Sequence, residues 1–106
     1  MSSFKITKTA QRDVIRIAAY VFKQSRSTDA TNAILEALYA AFEALAASPR
    51  MGTPRPSLRR GLRSYRFKSY MIFYRVHRQH IEVSRVLSQR QDLTKAFPKR
   101  KPRRRR

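Results

Sequence analysis

Cysteine is absent from the 106 residues, which excludes a disulfide framework, a thiolate nucleophile and a thiolate metal site. Histidine is nearly so, with His77 and His80 as the only pair, too few for a zinc set. Long apolar runs are missing as well. The N-terminal stretch MSSFKITKTAQRD lacks the apolar core of a secretory signal, and the most apolar segment, Ala33 to Ala47, is interrupted by Glu36 and Glu43. These absences predict a soluble protein of a reducing cytoplasm, without a membrane span, metal or cofactor. At this length there is room for one domain with a small core.

Acidic residues are scarce too: six stand against 25 Lys and Arg, for a formal net charge of +19. The imbalance is graded along the chain. Residues 1–48 hold six bases and four acids, residues 49–97 hold twelve and two, and residues 98–106, PKRKPRRRR, hold seven and none. Such a field favours an anionic partner and speeds encounter with it. The terminal run repels itself and has nothing to bury, which predicts a disordered basic tail over 98–106 following a domain over 1–97. That tail is expected to make nonspecific, salt-dependent contact with nucleic acid whatever the domain does.

Between these limits the chain reads as β-α-α-β-β-β. Phe4 and Ile6 alternate with Lys5 and Thr7, as in a short strand. Ala10, Val14, Ile17, Ala18 and Val21 recur on one helical face, predicting a helix from Ala10 to about Lys23 capped by Thr9. A second helix, capped by Thr28 or Asp29, runs to about Ala47; its alanines allow close approach to the first, giving an antiparallel hairpin. Both glycines and three of the five prolines fall in Ser48 to Gly61, SPRMGTPRPSLRRG, which is read as a loop.

Three strands come next, Leu62–Phe67, Tyr70–Val76 and Ile81–Leu87, rich in aromatic and β-branched residues. If Phe67 faces Tyr70 and Val76 faces Ile81, then Tyr65 meets Ile72, Tyr74 meets Val83 and Tyr70 meets Leu87. Alternation then sends Tyr65, Phe67, Tyr70, Ile72, Tyr74, Val76, Ile81, Val83 and Leu87 to one face, the core. The other face carries Ser64, Arg66, Lys68, Met71, Phe73, Arg75, Glu82, Ser84 and Val86, a basic surface around a small apolar patch. Slipping the register by one residue would bury those charges. Arg85 breaks the pattern, because parity puts its charge on the core face; it must pair with a buried acid, sit at the sheet margin or follow a bulge.

Gly61-Leu62-Arg63-Ser64-Tyr65, Tyr70-Met71-Ile72-Phe73-Tyr74-Arg75-Val76, Ile81-Glu82-Val83-Ser84-Arg85-Val86-Leu87, and then Arg90 and Asp92, resemble the ParE branch of the ParE/RelE toxin superfamily of type II toxin–antitoxin systems. Ala10, Asp13 to Ile17 and Pro49 to Gly52 add to the resemblance, which spans residues 4 to 95. It implies an α+β fold, with a two-helix hairpin packed on one face of an antiparallel-rich four-stranded sheet. It also implies a cognate ParD-like antitoxin that wraps the toxin, and an action on DNA gyrase for ParE-like members or on translated mRNA, by cleavage, for RelE-like ones. Fold alone does not choose between these.

Chemistry does better. RNA cleavage through the 2′-hydroxyl needs a base, a cation for the phosphorane and an acid for the leaving oxygen. Arginines are plentiful, but the candidate bases are poor. His77 and His80 fall in a predicted turn, Glu82 is placed to pair with Arg75, and Tyr65, Tyr70 and Tyr74 fall on the core face. Many relatives of both branches carry a histidine after the last strand, where this chain has Ser88. The sequence therefore predicts a toxin that acts by binding, with no catalytic residue assigned. A RelE-like endoribonuclease and a non-toxic basic nucleic-acid-binding module are the alternatives. The expected antitoxin surface is Arg66, Met71, Phe73, Arg75, Val86 and Arg90; the expected target surface is Arg59, Arg60, Arg63 and Arg66.

Overall fold

The computed structural model describes residues 3–89 and 93–98. Arg90, Asp92 and the basic run from Lys99 onward lie outside the described residues.

The chain opens with strand β1 (Ser3–Ile6) and turns at once into helix α1 (Lys8–Ser25). The helix starts two residues before the expected Ala10 because Thr7, not Thr9, caps it: the Thr7 hydroxyl accepts the Ala10 N–H at 3.0 Å. Arg26, in the left-handed region at φ 55°, ends α1 by donating its N–H to the Phe22 carbonyl. Ser27 then caps α2 (Thr28–Ala47) by accepting the Ala30 N–H at 3.0 Å, one residue ahead of the expected cap. Only two residues separate the helices, so they form the predicted hairpin.

The sheet corrects the expected four strands to five. Within the Pro- and Gly-rich loop lie a 3-10 turn (Pro49–Met51) and a two-residue strand β2 (Thr53–Pro54). After it come β3 (Leu62–Phe67), β4 (Tyr70–Val76) and β5 (His80–Ser88), and the order across the sheet is β1-β5-β4-β3-β2, with β1 parallel to β5 and the remaining pairs antiparallel. β2 escapes sequence reading because it is very short and half proline; Pro54 has no N–H to donate and is tolerated only at a sheet edge.

The two hairpins adopt the predicted register over most of their length, with Phe67 opposite Tyr70, Tyr65 opposite Ile72, Tyr74 opposite Val83 and Val76 opposite Ile81. The register breaks once. Phe73 faces Arg85 while Tyr74 faces Val83, so β5 carries an extra residue, Ser84, as a bulge. One inserted residue reverses the parity of the rest of the strand. Tyr70 therefore faces Ser88 instead of Leu87, Val86 joins the helix-side core, and Leu87 moves to the other face.

The helix-side core joins Ala10, Val14 and Ile17 of α1, Leu38, Phe42, Leu45 and Ala46 of α2, and Ile72, Tyr74, Ile81, Val83 and Val86 of the sheet. The reverse face is not the open surface expected. Leu62, Phe73 and Leu87 form a second, smaller core with Phe97, which follows the short helix α3 (Leu93–Ala96); the Phe73 and Phe97 rings lie 4.8 Å apart. The chain's own C-terminal segment thus covers the apolar centre of the outer face.

Candidate functional site

At the bulge, α1 replaces the strand that β5 has lost. β1 ends at Ile6, opposite Val83, while β5 continues to Ser88. The Thr7 hydroxyl donates to the Ser84 carbonyl at 3.1 Å, and Asp13 accepts the Val86 N–H at 3.0 Å. Asp13, 2% exposed, also accepts two hydrogen bonds from Arg85, from Nε at 2.7 Å and Nη2 at 3.0 Å, with Arg16 Nη1 at 3.5 Å. This answers the question Arg85 posed: it sits at a bulge and pairs with a buried acid. The hydrogen bonds that Arg85 donates to Asp13 raise the Arg85 pKa further, so the guanidinium is held charged.

Past Asp13, α1 and the sheet diverge to leave a groove of about 530 Å³, with Ile17 and Tyr20 on one wall, Ser69 and Tyr70 on the other, Val86 from β5 and Gln89 just after it. Tyr20 is half exposed. Partial burial, with Tyr20 nearby, pushes the Tyr70 phenol above its usual range, so it presents an uncharged hydroxyl at neutral pH. Two cations flank the groove. Arg16 lies on its α1 side, and Arg66 donates from Nε to the Gln89 side-chain oxygen at 3.1 Å when that amide is turned oxygen-inward.

The anticipated antitoxin residues do not form one exposed patch. Arg66 is exposed and Met71 and Arg75 are half-buried, but Phe73 and Val86 are fully enclosed on opposite faces of the sheet, and Arg90 is outside the described residues. The bulge accounts for Val86, and α3 with Phe97 accounts for Phe73. Sequence reasoning missed the groove because Tyr20 lies beside, not within, the apolar stripe that defines the buried side of α1.

The target arginines also separate. Arg60 is exposed in the loop, Arg59 donates to the Leu58 carbonyl at 2.8 Å and lies over the Phe97 ring, and Arg63 reaches the Arg50 carbonyl at 3.4 Å. Arg66 stands three residues beyond Arg63, about 10 Å along the strand and on the opposite face. Glu82 faces Arg75 in register, yet its carboxylate lies 3.5 Å from His77 Nε2, and the His77 ring stacks on His80 at 4.7 Å. Among the described residues there is no group of three or more His, Cys, Asp or Glu side chains able to hold a metal, and no helix long and apolar enough to cross a membrane.

Tyr74 does more than pack. Its hydroxyl donates to the Pro49 carbonyl at 2.6 Å and accepts the Gly52 N–H at 2.9 Å, pinning the loop to the core. A Cβ on Gly52 would collide with that hydroxyl and lie 2.8 Å from the Ser64 carbonyl oxygen. Gly52→Ala is expected to lower stability by about 1–3 kcal/mol, and Tyr74→Phe by about 1–3 kcal/mol through a buried N–H left unmet. Urea denaturation checks both; a Gly52→Ala midpoint equal to that of the wild type would refute the packing described.

With this geometry in view, comparison with known proteins gives a consistent pattern. Residues 4–93 match the family described as ParE toxin of type II toxin-antitoxin system, parDE. Toxin ParE3 of Caulobacter vibrioides is 30% identical over 70 residues, covering 66% of this chain and 70% of that protein. Among solved structures, the chromosomal ParDE toxin–antitoxin system from P. aeruginosa superposes with a TM-score of 0.69 at 22% identity, covering 83% of this chain and 96% of the other. The RelBE2 toxin–antitoxin complex from Mycobacterium tuberculosis superposes with a TM-score of 0.56 at 26% identity, covering 82% and 96%.

Proposed function

Because this chain belongs to the ParE toxin family of type II toxin–antitoxin systems, we propose that it acts in the cytoplasm by binding and inhibiting DNA gyrase, and that a cognate ParD-like antitoxin neutralises it. The match of residues 4–93 to the ParE toxins carries the reading. The residues suited to proton transfer support binding over RNA cleavage: His77 is engaged with Glu82 and stacked on His80 at a strand turn, and Ser88 stands where many relatives have a histidine. The RelE-like reading, cleavage of translated mRNA, keeps the RelBE2 likeness in its favour.

The antitoxin docks at the Arg66 end of the sheet. An apolar anchor of its segment enters the groove between Tyr20 and Tyr70, above Val86, while its acidic residues meet Arg66 and Arg16. Met71 and Arg75 extend this surface across the outer face. Arg59, Arg60 and Arg63 remain for the target.

Purified protein should inhibit gyrase-dependent supercoiling, and its expression without antitoxin should cause filamentation and DNA-damage signalling. New cleavage sites in translated mRNA with no effect on supercoiling would replace this reading with the RelE-like one. Tyr20→Ala should weaken antitoxin binding by about tenfold to a hundredfold, as a central aromatic anchor does, and leave gyrase inhibition unchanged.

A further inference from the structure

The opposite end of the sheet carries a charge distribution that antitoxin docking does not use. From Pro49 to Arg63 the chain places five arginines, Arg50, Arg55, Arg59, Arg60 and Arg63, and no acid. β2 pairing holds this stretch along one edge of the sheet, since Thr53 lies opposite Ser64 and Pro54 opposite Arg63, with Arg55 reaching Ser64 on one face and Arg63 reaching Arg50 on the other. Among the described residues none of these arginines forms an ion pair; the three pairs present involve Arg16, His77 and Arg85.

Three of the side chains are nonetheless fixed. Arg55 Nε donates to Ser64 Oγ at 2.8 Å, Arg59 Nη1 to the Leu58 carbonyl at 2.8 Å and Arg63 Nη2 to the Arg50 carbonyl at 3.4 Å. Neutral acceptors orient a guanidinium without cancelling its charge, which leaves its other N–H groups to a partner. A folded acidic peptide needs apolar anchors to hold it, but the only large apolar side chain exposed within this stretch is Met51. A phosphodiester chain needs none, and repeated guanidinium–phosphate contacts suffice for it.

We propose that the arginine rim formed by the 49–61 loop, β2 and the start of β3 is a sequence-independent binding site for the phosphate backbone of nucleic acid. It is separate from the terminal run of bases and does not require gyrase to be the target.

The test uses the full chain and fluorescence anisotropy with two probes of mixed sequence, a short DNA duplex and a single-stranded RNA, over a series of salt concentrations. The variants are R50Q/R60Q, whose exposed side chains make none of the hydrogen bonds described, and a tail variant with Arg103 to Arg106 changed to Gln. R50Q/R60Q is expected to bind about tenfold more weakly for each lost contact near 0.1 M salt. Its log–log salt slope should shrink by about 0.9 per contact on the duplex or about 0.7 on the single strand. R50Q/R60K, which regains one of the two charges, should recover half of that change. The tail variant should reduce the slope independently, and tighter binding of one probe identifies the nucleic acid preferred. A slope for R50Q/R60Q equal to that of the wild type, with the salt dependence residing in the tail, would overturn the proposal. Should the double variant melt early, R60Q alone carries the same comparison. Gyrase inhibition by these variants separates the two readings. Inhibition lost at an unchanged slope assigns the arginines to a protein surface and defeats this inference alone. A reduced slope with inhibition intact upholds it and removes the rim from the gyrase contact.

Discussion

Asp13→Ala is expected to cost about 3–5 kcal/mol of folding stability, enough to remove much of what holds a domain of this size together. Alanine would leave the Arg85 guanidinium, whose side chain is only 19% exposed, without its counter-ion, and would orphan the buried Val86 N–H. The bulge would lose its tie to α1 at the same time. Each of those groups is costly to leave unmet, and the losses coincide because one carboxylate serves them all. Asp13→Asn should do less harm, since the amide oxygen can still accept from Val86 or Arg85 but cannot match a bidentate ionic contact. Arg85→Ala should fall near the aspartate variant, and the double variant should be less destabilised than the sum, giving a coupling of about 0.5–3 kcal/mol, as between other interacting pairs. A paired apolar replacement, Asp13→Leu with Arg85→Met, should recover part of the loss, because a buried ion pair is far worse broken than replaced. Urea or thermal unfolding of the set measures all of this. A loss below about 1 kcal/mol for Asp13→Ala would mean that water, not the carboxylate, satisfies Arg85.

Arg85 also shows how far the sequence could be read. Its charge on a face otherwise apolar was a legible anomaly, and a bulge was among its three explanations. Which one holds depends on Asp13, 72 residues away in the chain and visible in sequence only as one polar position on an amphipathic helix. Before the bulge the pairing follows alternation: Tyr65 with Ile72 and Tyr74 with Val83 needed only strand parity and turn lengths, although Val76, expected in the core, lies exposed at the end of β4. Beyond it the pattern is inverted, so Val86 and Leu87 exchanged faces. The cap of α1 shifted for a similar reason. Thr7 serves both the Ala10 N–H and the Ser84 carbonyl, and the second of these is a tertiary contact that local propensity cannot reveal. The groove depends on where α1 leaves the sheet, and the arginine rim depends on a two-residue strand. Composition alone had already marked that rim as free of acid.

Phe73→Ala should be nearly as damaging as the loss of Asp13, at about 3–5 kcal/mol, although parity had put this ring in solvent. The side chain is fully enclosed by Leu62 and Leu87 on the sheet and by Phe97 above it. A sheet packed on one side only would tolerate alanine there with little change; a two-sided sheet would not. Phe97→Ala supplies the contrast. Phe97 is the buried anchor of a short segment whose Leu93 and Ala96 pack at the margin of the same cluster, so its loss should release the segment locally and leave the main core folded. Phe97→Ala should therefore shift the unfolding midpoint less than Phe73→Ala while exposing the outer apolar face, read as increased binding of a hydrophobic dye. The coupling between the two rings should be about 0.5–1.5 kcal/mol beyond the area they bury. A Phe73→Ala variant as stable as the wild type would return the outer face to solvent and restore the open surface that alternation alone predicts. The expected loss instead makes the C-terminal segment part of the fold, so that any partner using Met71 and Arg75 must either run alongside it or displace it.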